Sequence, residues 1–495
     1  MNPRITRRRF LHAAAAGGAA WVALGGTLGC DPIERARATA MAAPPNQTWS
    51  FHSRPDLHPP VIRVTTPARD TAPGYVFVAP KNGPDEAGPG QDGCMVLDNE
   101  GQPIWLCLLQ DEDLDVMNFK RQTYKGEPVL TWWVGRHTGF GQGKYVILNS
   151  HYEELARFGA GNGYDGDHHE FLITPEGTAL ITIYHKVPMD TSSMGGSADG
   201  NVLDGIAQEI DIETGEVLFE WHSLEHVGIE ESYSAEPYDY FHINSVDVYD
   251  DDHLLISSRN TWTLYKVSRK TGEVVWRFGG KKSDFEMGKG TRTAYQHDAR
   301  WHGDGTLTVF DNGGPWVHEQ SRAIRVKLDE DAMKAGLLRE YIHPGELRSA
   351  TQGSVQILPG GNVFVGWGSS PVLSEFSRDG RLLFDADFPA EGESYRAFRF
   401  PWKGQPEETP AAVAAKSGSE GELTIYASWN GATEVATWEV LAGGGPNELE
   451  PVGSAPRKGF ETAITLRTDE PYVAVRAKDG SGRVLGVSEA LKTGD

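Results

Sequence analysis

Four residues of this chain share one place in a repeating pattern, and three of them carry side chains able to do chemistry. Four hairpins turn at Gly177, Asp252, Gly305 and Gly361, and eight residues before each turn stand His169, Asn244, His297 and Gly353. If the hairpins are equivalent units round an axis, these positions line one mouth of a ring. His242 lies two residues before Asn244 and shares its face if the chain there is extended. The second strand of that hairpin ends at Ser257-Ser258-Arg259, and pairing about the turn returns Arg259 to the side of residues 242 to 244. Histidines, an arginine and an amide therefore converge on one pocket. A neutral imidazole is a nucleophile and proton carrier near pH 7. A guanidinium offers a planar fork of donors to an anionic group.

The elements that must position these residues are short. The first hairpin type runs Phe171–Thr182, Val246–Ser257, Ala299–Phe310 and Val355–Gly366. A second type follows as Ile210–Trp221 and Val267–Trp276, with looser copies at Val96–Trp105 and Phe376–Phe384. Two hairpins in a period of about fifty residues make one four-stranded propeller blade. With Gly74–Pro80 and Val129–Val134 as partial copies, residues 70 to 400 hold five or six blades. Past Trp402 comes a Pro-rich connector, then short alternating strands from Leu423 to Val487. The fold expected is all-β, a six-bladed β-propeller followed by a small β-sandwich. Its divisions are a leader at 1–43, the propeller at 44–402, a linker at 403–418, and an immunoglobulin- or fibronectin-like sandwich at 419–495.

Other uses of the pocket compete. Propellers place His and Asp near blade starts for structural hydrogen bonds, but equal structural roles would favour identical residues, and these differ. A metal site would draw on Asp167, Glu170 and Asp298 beside the histidines. A serine hydrolase would need a Gly-x-Ser-x-Gly elbow, and none is present. A quinoprotein dehydrogenase of the methanol-dehydrogenase type would carry adjacent paired cysteines, also missing. His168, His185, His302 and His318 are assigned to surface or packing roles.

The net charge of −23 excludes a nucleic-acid or anionic-lipid partner and requires a local basic site for any anionic substrate. At the N-terminus, Thr6-Arg7-Arg8-Arg9-Phe10-Leu11 precedes a mild Ala- and Gly-rich apolar run from Ala13 to Gly29. This is the twin-arginine export pattern, and the run is too short and weakly apolar for a membrane span. The expected location is periplasmic, cell-surface or extracellular. Thr27-Leu28-Gly29-Cys30 resembles a lipoprotein cleavage box, which would anchor the protein by lipid at Cys30; Ala38-Thr39-Ala40 is the competing cleavage site. Cys94 and Cys107 flank a hairpin turning at Glu100-Gly101 and stand opposite each other. In an oxidising compartment the pair suits a disulfide, with two buried free thiols as the alternative.

Several blocks in order are similar to a known family. Phe51-His-Ser-Arg-Pro-Asp56, His169–Thr178, His242-Ile-Asn-Ser-Val246 with Ser257-Ser-Arg-Asn260, and Gln296-His-Asp-Ala-Arg300 with Phe310-Asp-Asn312 resemble the arylsulfotransferase family, in its actinobacterial and fungal branch. The resemblance spans residues 50 to 400. Enterobacterial relatives are six-bladed periplasmic propellers that move a sulfuryl group between phenols through a sulfated histidine, without a nucleotide sulfate donor. By resemblance, His297 would be the nucleophile, with His242, Arg259 and His169 round the sulfuryl group; the column position puts Asn244 and Gly353 on the substrate side. No cofactor or metal is implied, and the partners would be small aryl sulfates, phenols and the export machinery. Tyr240, Phe241, Tyr295 and Trp316 could flank the ring. The N-terminal sandwich of those relatives has no counterpart in the sequence, and the C-terminal module is an addition. Against this stand a non-catalytic exported binding propeller and a His-metal-dependent hydrolase. Replacing Arg7 and Arg8 with lysine is expected to strand the precursor in the cytoplasm, which cell fractionation would detect; normal export of the double variant would refute the twin-arginine assignment.

Overall fold

Runs of Val, Ile, Leu and aromatic residues, cut by Gly, Pro and Asp turns, form antiparallel strands over most of the chain. The computed structural model describes residues 48–82, 90–111, 113–389, 392–416 and 421–493. Arg7-Arg8, the apolar leader, Cys30 and Ala38-Thr39-Ala40 lie outside the described residues.

Among the described residues, six sheets follow one another round a ring. Blade 2 is Asp115–Tyr124, Glu127–His137, Gly141–Leu148 and Glu154–Phe158. Blade 3 is Asp167–Ile173, Thr178–Pro188, Asn201–Asp211 and Val217–His222. Blade 4 is Ile243–Asp250, His253–Ser258, Thr263–Ser268 and Val274–Gly279. Blade 5 is His297–Trp301, Thr306–Asp311, Arg322–Asp329 and Lys334–Tyr341. Blade 6 is Ser354–Ile357, Val363–Gly366, Val372–Phe376 and Leu382–Asp387. Blade 1 joins both ends of the segment: Ala397–Phe400 pairs with Tyr75–Val78, which leads on to Gly93–Leu97 and Pro103–Leu108. Arg63–Thr66 likewise adds an outer strand to blade 6. The ring is thus closed twice by strands distant in sequence, which removes the inner sheet edges.

The first strand named for blades 2 to 6, and Ala397–Phe400 of blade 1, contact one another in cyclic order and form the wall of the axis. Tryptophans of the outer strands stitch the blades together. Trp221 of blade 3 donates to the Gly272 carbonyl of blade 4 at 3.0 Å, and Trp276 of blade 4 donates to Glu330 beside blade 5 at 3.0 Å.

The axis is filled with charge. Glu170, fully buried, meets Lys120 at 3.1 Å, Arg396 at 3.0 Å and Arg300 at 2.5 Å. Asp298 shares Arg300 at 2.7 Å and Arg396 at 3.4 Å. Burial among these cations lowers Lys120 to about 8, although Glu170 opposes the shift. The Asp247 carboxyl is pushed up by burial to about 6, against the pull of Arg300.

The sandwich packs a three-stranded sheet (Ala411–Lys416, Glu422–Ser428, Glu461–Arg467) on a sheet built round Thr437–Gly443 and Tyr472–Lys478. It docks on blade 1, where Asn430 bonds both the N–H and the carbonyl of Leu106 at 2.9 and 2.8 Å and so covers that blade's outer edge. Its strand Ala411–Lys416 lies in the stretch read as linker; a run of alanines carries no period-2 contrast to announce a strand.

Cys94 and Cys107 are cross-strand partners, as the hairpin predicts, but both are free thiols and the disulfide is not formed. Directly opposed residues of a regular ladder hold their Cβ atoms about 4.5–5.5 Å apart, wider than the roughly 3.8 Å of a typical disulfide. Burial also raises both thiol pKa values, Cys94 strongly, so the reactive thiolate is suppressed.

Glu170→Gln is expected to destabilise the protein by about 3–5 kcal/mol in urea unfolding, because three cations lose their shared counter-charge in a dry interior. A change under about 1 kcal/mol would show that the axial pairs are individually dispensable.

Candidate active site

The site is built by irregularity. Inner strands of blades 2 to 5 each break register, between Met117 and Lys120, Asp167 and Phe171, Ile243 and Ser245, and His297 and Arg300. Such bulges re-aim side chains, and these contain Asn118, His169 with Glu170, Asn244, and Asp298. Positive φ values cluster here too: Asn118, His242, Tyr295, Asp298 and Gln352 are all left-handed, between 53° and 66°. Non-glycine residues in that region are uncommon, and they concentrate at functional sites.

His297 is buried at the start of its strand. The Asn312 amide donates through Nδ2 to the carbonyls of Ser349 at 2.8 Å and Gln352 at 3.0 Å, which turns its Oδ1 toward the ring. His297 Nδ1 therefore carries the proton and donates to that Oδ1 at 2.7 Å and to the Tyr295 carbonyl at 2.9 Å. Nε2 keeps its lone pair, met only by the Gln352 N–H at a long 3.2 Å. Burial, reinforced by Arg259, holds the imidazole well below its usual pKa, and the Asn312 bond only partly offsets this.

The other residues expected at the site gather round it. His169 Nδ1 donates to Asp167 at 2.6 Å, and His242 Nδ1 donates to Asp239 at 2.5 Å. The two rings stand edge to face with centroids 5.0 Å apart, and Tyr184 lies against both. Burial lowers the pKa of His242 although Asp239 opposes it. The Arg259 N–H donates to the His242 carbonyl at 2.9 Å, so the hairpin returns it as expected. Its guanidinium lies 4.7 Å over the Tyr295 ring and donates to Asn260 at 2.8 Å. Among the described residues Arg259 has no carboxylate at ion-pairing distance, and its buried Nε has no hydrogen-bond partner.

Two expectations are corrected, and Asn244 and Gly353 are found to have structural roles. His242 has φ 55°, and the strand begins at Ile243, so His242 and Asn244 do not share a face by strand alternation. Asn244 donates to the Gln296 carbonyl at 2.7 Å and thereby holds the residue before His297. Gly353, at φ 111°, is required by packing, since a Cβ there would come within 2.3 Å of the Phe310 ring. Tyr240 and Phe241 are wholly buried core residues rather than a substrate flank. The Trp316 side chain lies outside the described residues.

His168, read as a packing residue, is buried against His169 with ring centroids 4.0 Å apart. Donor atoms of Asp167, His168 and His169 lie within 4.8 Å of one another, as a metal site would need. Asp167 is already engaged by Gly141 N–H at 2.6 Å, His169 N–H at 2.9 Å and Thr182 at 3.1 Å. Glu170 and Asp298, the further carboxylates considered, are taken up by arginines. The set orients imidazoles. Asn312, Asp239 and Gln352 were not singled out from the sequence, although Asn312 closes one of the quoted blocks; the other two carry no spacing signal. A cavity of about 670 Å³ opens at the opposite mouth, among the turns Lys125-Gly126 and Thr174–Gly177, and none of His169, His242, Arg259 and His297 lines it.

A six-bladed propeller with a neutral histidine beside an unpaired arginine defines the class. The family model described as arylsulfotransferase (ASST) matches residues 120–389, over half of the chain, and the protein belongs to that family. No curated protein is a significant match. Among solved structures, a protein of unknown function from Bacteroides caccae is 12% identical with a TM-score of 0.41, covering 66% of this chain and 98% of that one. A catalytically inactive virginiamycin B lyase from Staphylococcus aureus with quinupristin is 10% identical (TM-score 0.36), covering 75% and 97%. The β-propeller domain of Cps50 (Swd1) from Myceliophteria thermophila is 14% identical (TM-score 0.31), covering 64% and 97%. All three scores are below 0.5, and the fold rests on the strand pairings above.

His297 is expected to stay neutral through the range near pH 6.5 in which an ordinary imidazole titrates, because burial depresses its pKa well below that value. Imidazole ¹⁵N shifts, assigned with His297→Gln, would show a fixed Nδ1–H tautomer; a midpoint near the ordinary value would contradict the burial.

Proposed function

We propose that this protein is an exported arylsulfotransferase that moves a sulfuryl group from an aryl sulfate to a phenol through His297, without a cofactor. The observation that carries this is the His297 imidazole, locked with Nδ1 as donor and Nε2 unprotonated, its lone pair held only by a long bond from the Gln352 N–H. In the first half-reaction the Gln352 N–H releases the Nε2 lone pair, Nε2 attacks sulfur, the S–O(aryl) bond breaks, and the donor leaves as its phenolate. The N–S bond formed leaves a positive ring, with the Nδ1 proton shared between Asn312 and the Tyr295 carbonyl. Sulfuryl transfer spreads charge over three oxygens as phosphoryl transfer does, so catalysis is largely positioning and cationic stabilisation. Arg259, without a carboxylate partner, is available to those oxygens, and the Gln352 N–H is placed to join it once Nε2 is sulfated.

In the second half-reaction the acceptor phenol loses its proton as its oxygen attacks sulfur and frees Nε2. His242, neutral at rest and backed by Asp239, is the base for that proton, and the imidazolium formed then supplies it to the next departing phenolate. His169, backed by Asp167, is the second candidate for this exchange. The leader motif supports export by the twin-arginine route to the periplasm or cell exterior, with Cys30 as a lipid-attachment point or cleavage at Ala38-Thr39-Ala40. Small aryl sulfates and phenols are the partners of this reading.

Transfer through a histidine requires ping-pong kinetics. Quenching with 4-nitrophenyl sulfate alone should add one sulfuryl group to the peptide bearing Gln296-His297-Asp298. His297→Ala should lose both label and turnover while remaining folded, and Arg259→Ala should slow transfer by about 100-fold or more. Near-normal transfer by His297→Ala would overturn the mechanism; a label on His242 or His169 would move the nucleophile.

A further inference from the structure

The wall beside Arg259 carries more aromatic surface than one phenol needs. Tyr295 lies under the Arg259 guanidinium at 4.7 Å. Trp262 meets Tyr295 edge to face with centroids 5.3 Å apart, and Tyr233 stacks flat on Trp262 at 3.6 Å. The three rings come from the loop 223–241, the hairpin loop after Arg259, and the segment just before His297, all at the His297 mouth. All three are only half-buried, unlike Tyr240, Phe241 and Tyr265 behind them, which are closed in the core.

Two features are costly for a purely structural wall. Trp262 and Tyr295 both sit at left-handed φ, 54° and 53°, where bulky residues are outliers. The Trp262 Nε1–H is buried without a hydrogen-bond partner among the described residues. Strain and an orphaned donor together at the His297 mouth are costs that a surface kept for a ligand would account for.

We infer that Tyr295, Trp262 and Tyr233 form an aryl shelf that selects extended planar phenols and their sulfates, of two or more rings, over single-ring ones. This rests on the transferase reading in one respect, that Arg259 holds the sulfuryl end. The reacting ring then lies beside Tyr295, and only a second ring reaches Trp262. Tyr233 backs Trp262, and Lys281, 4.9 Å over Tyr233, closes the far end. Donor and acceptor use the same shelf in turn, since the first phenol leaves before the second binds.

The test compares 4-methylumbelliferyl sulfate, with two fused rings, and 4-nitrophenyl sulfate, with one. Binding is measured in the His297→Ala background, where no transfer occurs. Trp262→Asn removes the ring while suiting the left-handed backbone, so the fold should hold. It should weaken binding of the two-ring probe by about tenfold and of the one-ring probe by no more than about twofold, the scale of one aromatic stacking contact. Equal losses for both probes, or none for either, would overturn the shelf. If Trp262→Asn does not fold, Tyr233→Ser is held to the same comparison. Turnover by the chain with His297 intact separates the two ideas. Discrimination in binding with no transfer from either sulfate would sink the transferase reading and leave the shelf. Transfer with no discrimination would do the reverse.

Discussion

At the centre of the ring the carboxylate of Glu170 meets Lys120, Arg300 and Arg396, which arrive from blades 2, 5 and 1. Taking these charges out of water costs several kcal/mol each, and only their mutual satisfaction offsets it. The inner strands must therefore approach the axis in one arrangement. Arg396 stands immediately before Ala397–Phe400, the strand that closes blade 1, so ring closure and axial neutralisation are one event. Asp298 joins the same network through Arg300 and Arg396 and directly follows His297, so the nucleophile candidate sits on the lid of the ion cluster.

That placement explains why the site is made of bulges and left-handed residues. A regular strand would point alternate side chains along the axis or into the blade. The chain has to send His169 to the mouth and its neighbour Glu170 into the ion cluster, and likewise His297 and Asp298. Register breaks at these points provide both directions. Left-handed residues cost on the order of 1–3 kcal/mol each, and they are held by bonds such as Asn244 to Gln296 and Asn312 to Ser349. Among the described residues Arg259 has no carboxylate at ion-pairing distance, although Asp239 attracts it from farther off, so its guanidinium can receive an anionic group.

The histidines differ in what backs their protonated nitrogen. His297 is paired with an amide and a carbonyl, which accept its proton but lend no negative charge, so burial keeps it neutral. His242 and His169 donate instead to the carboxylates of Asp239 and Asp167, and at His242 burial still outweighs the pull of Asp239 and lowers the pKa. One ring suits bond formation to an electrophile, and the other two suit proton exchange.

Much of this was legible from residue types alone. Hairpins with Gly or Asp turns at regular intervals are a local property, so the blades and the sandwich could be read, as could the column holding His169 and His297 and the return of Arg259 beside His242. Blade 2 was only partly visible, because its inner strand Asp115–Tyr124 carries polar residues, Asn118 and Lys120, that serve the axis. The sandwich strand Ala411–Lys416 was hidden by its plain composition. Spacing could not reveal Asp239, Gln352 or the tautomer-setting role of Asn312, because each depends on a loop conformation. It also placed His242 and Asn244 on one face by assuming an extended step where φ is positive. Periodic hydrophobicity determines which segments become strands and in what order. Which polar atoms meet at the axis depends on six strands arriving together from distant parts of the chain, and only the closed ring decides that.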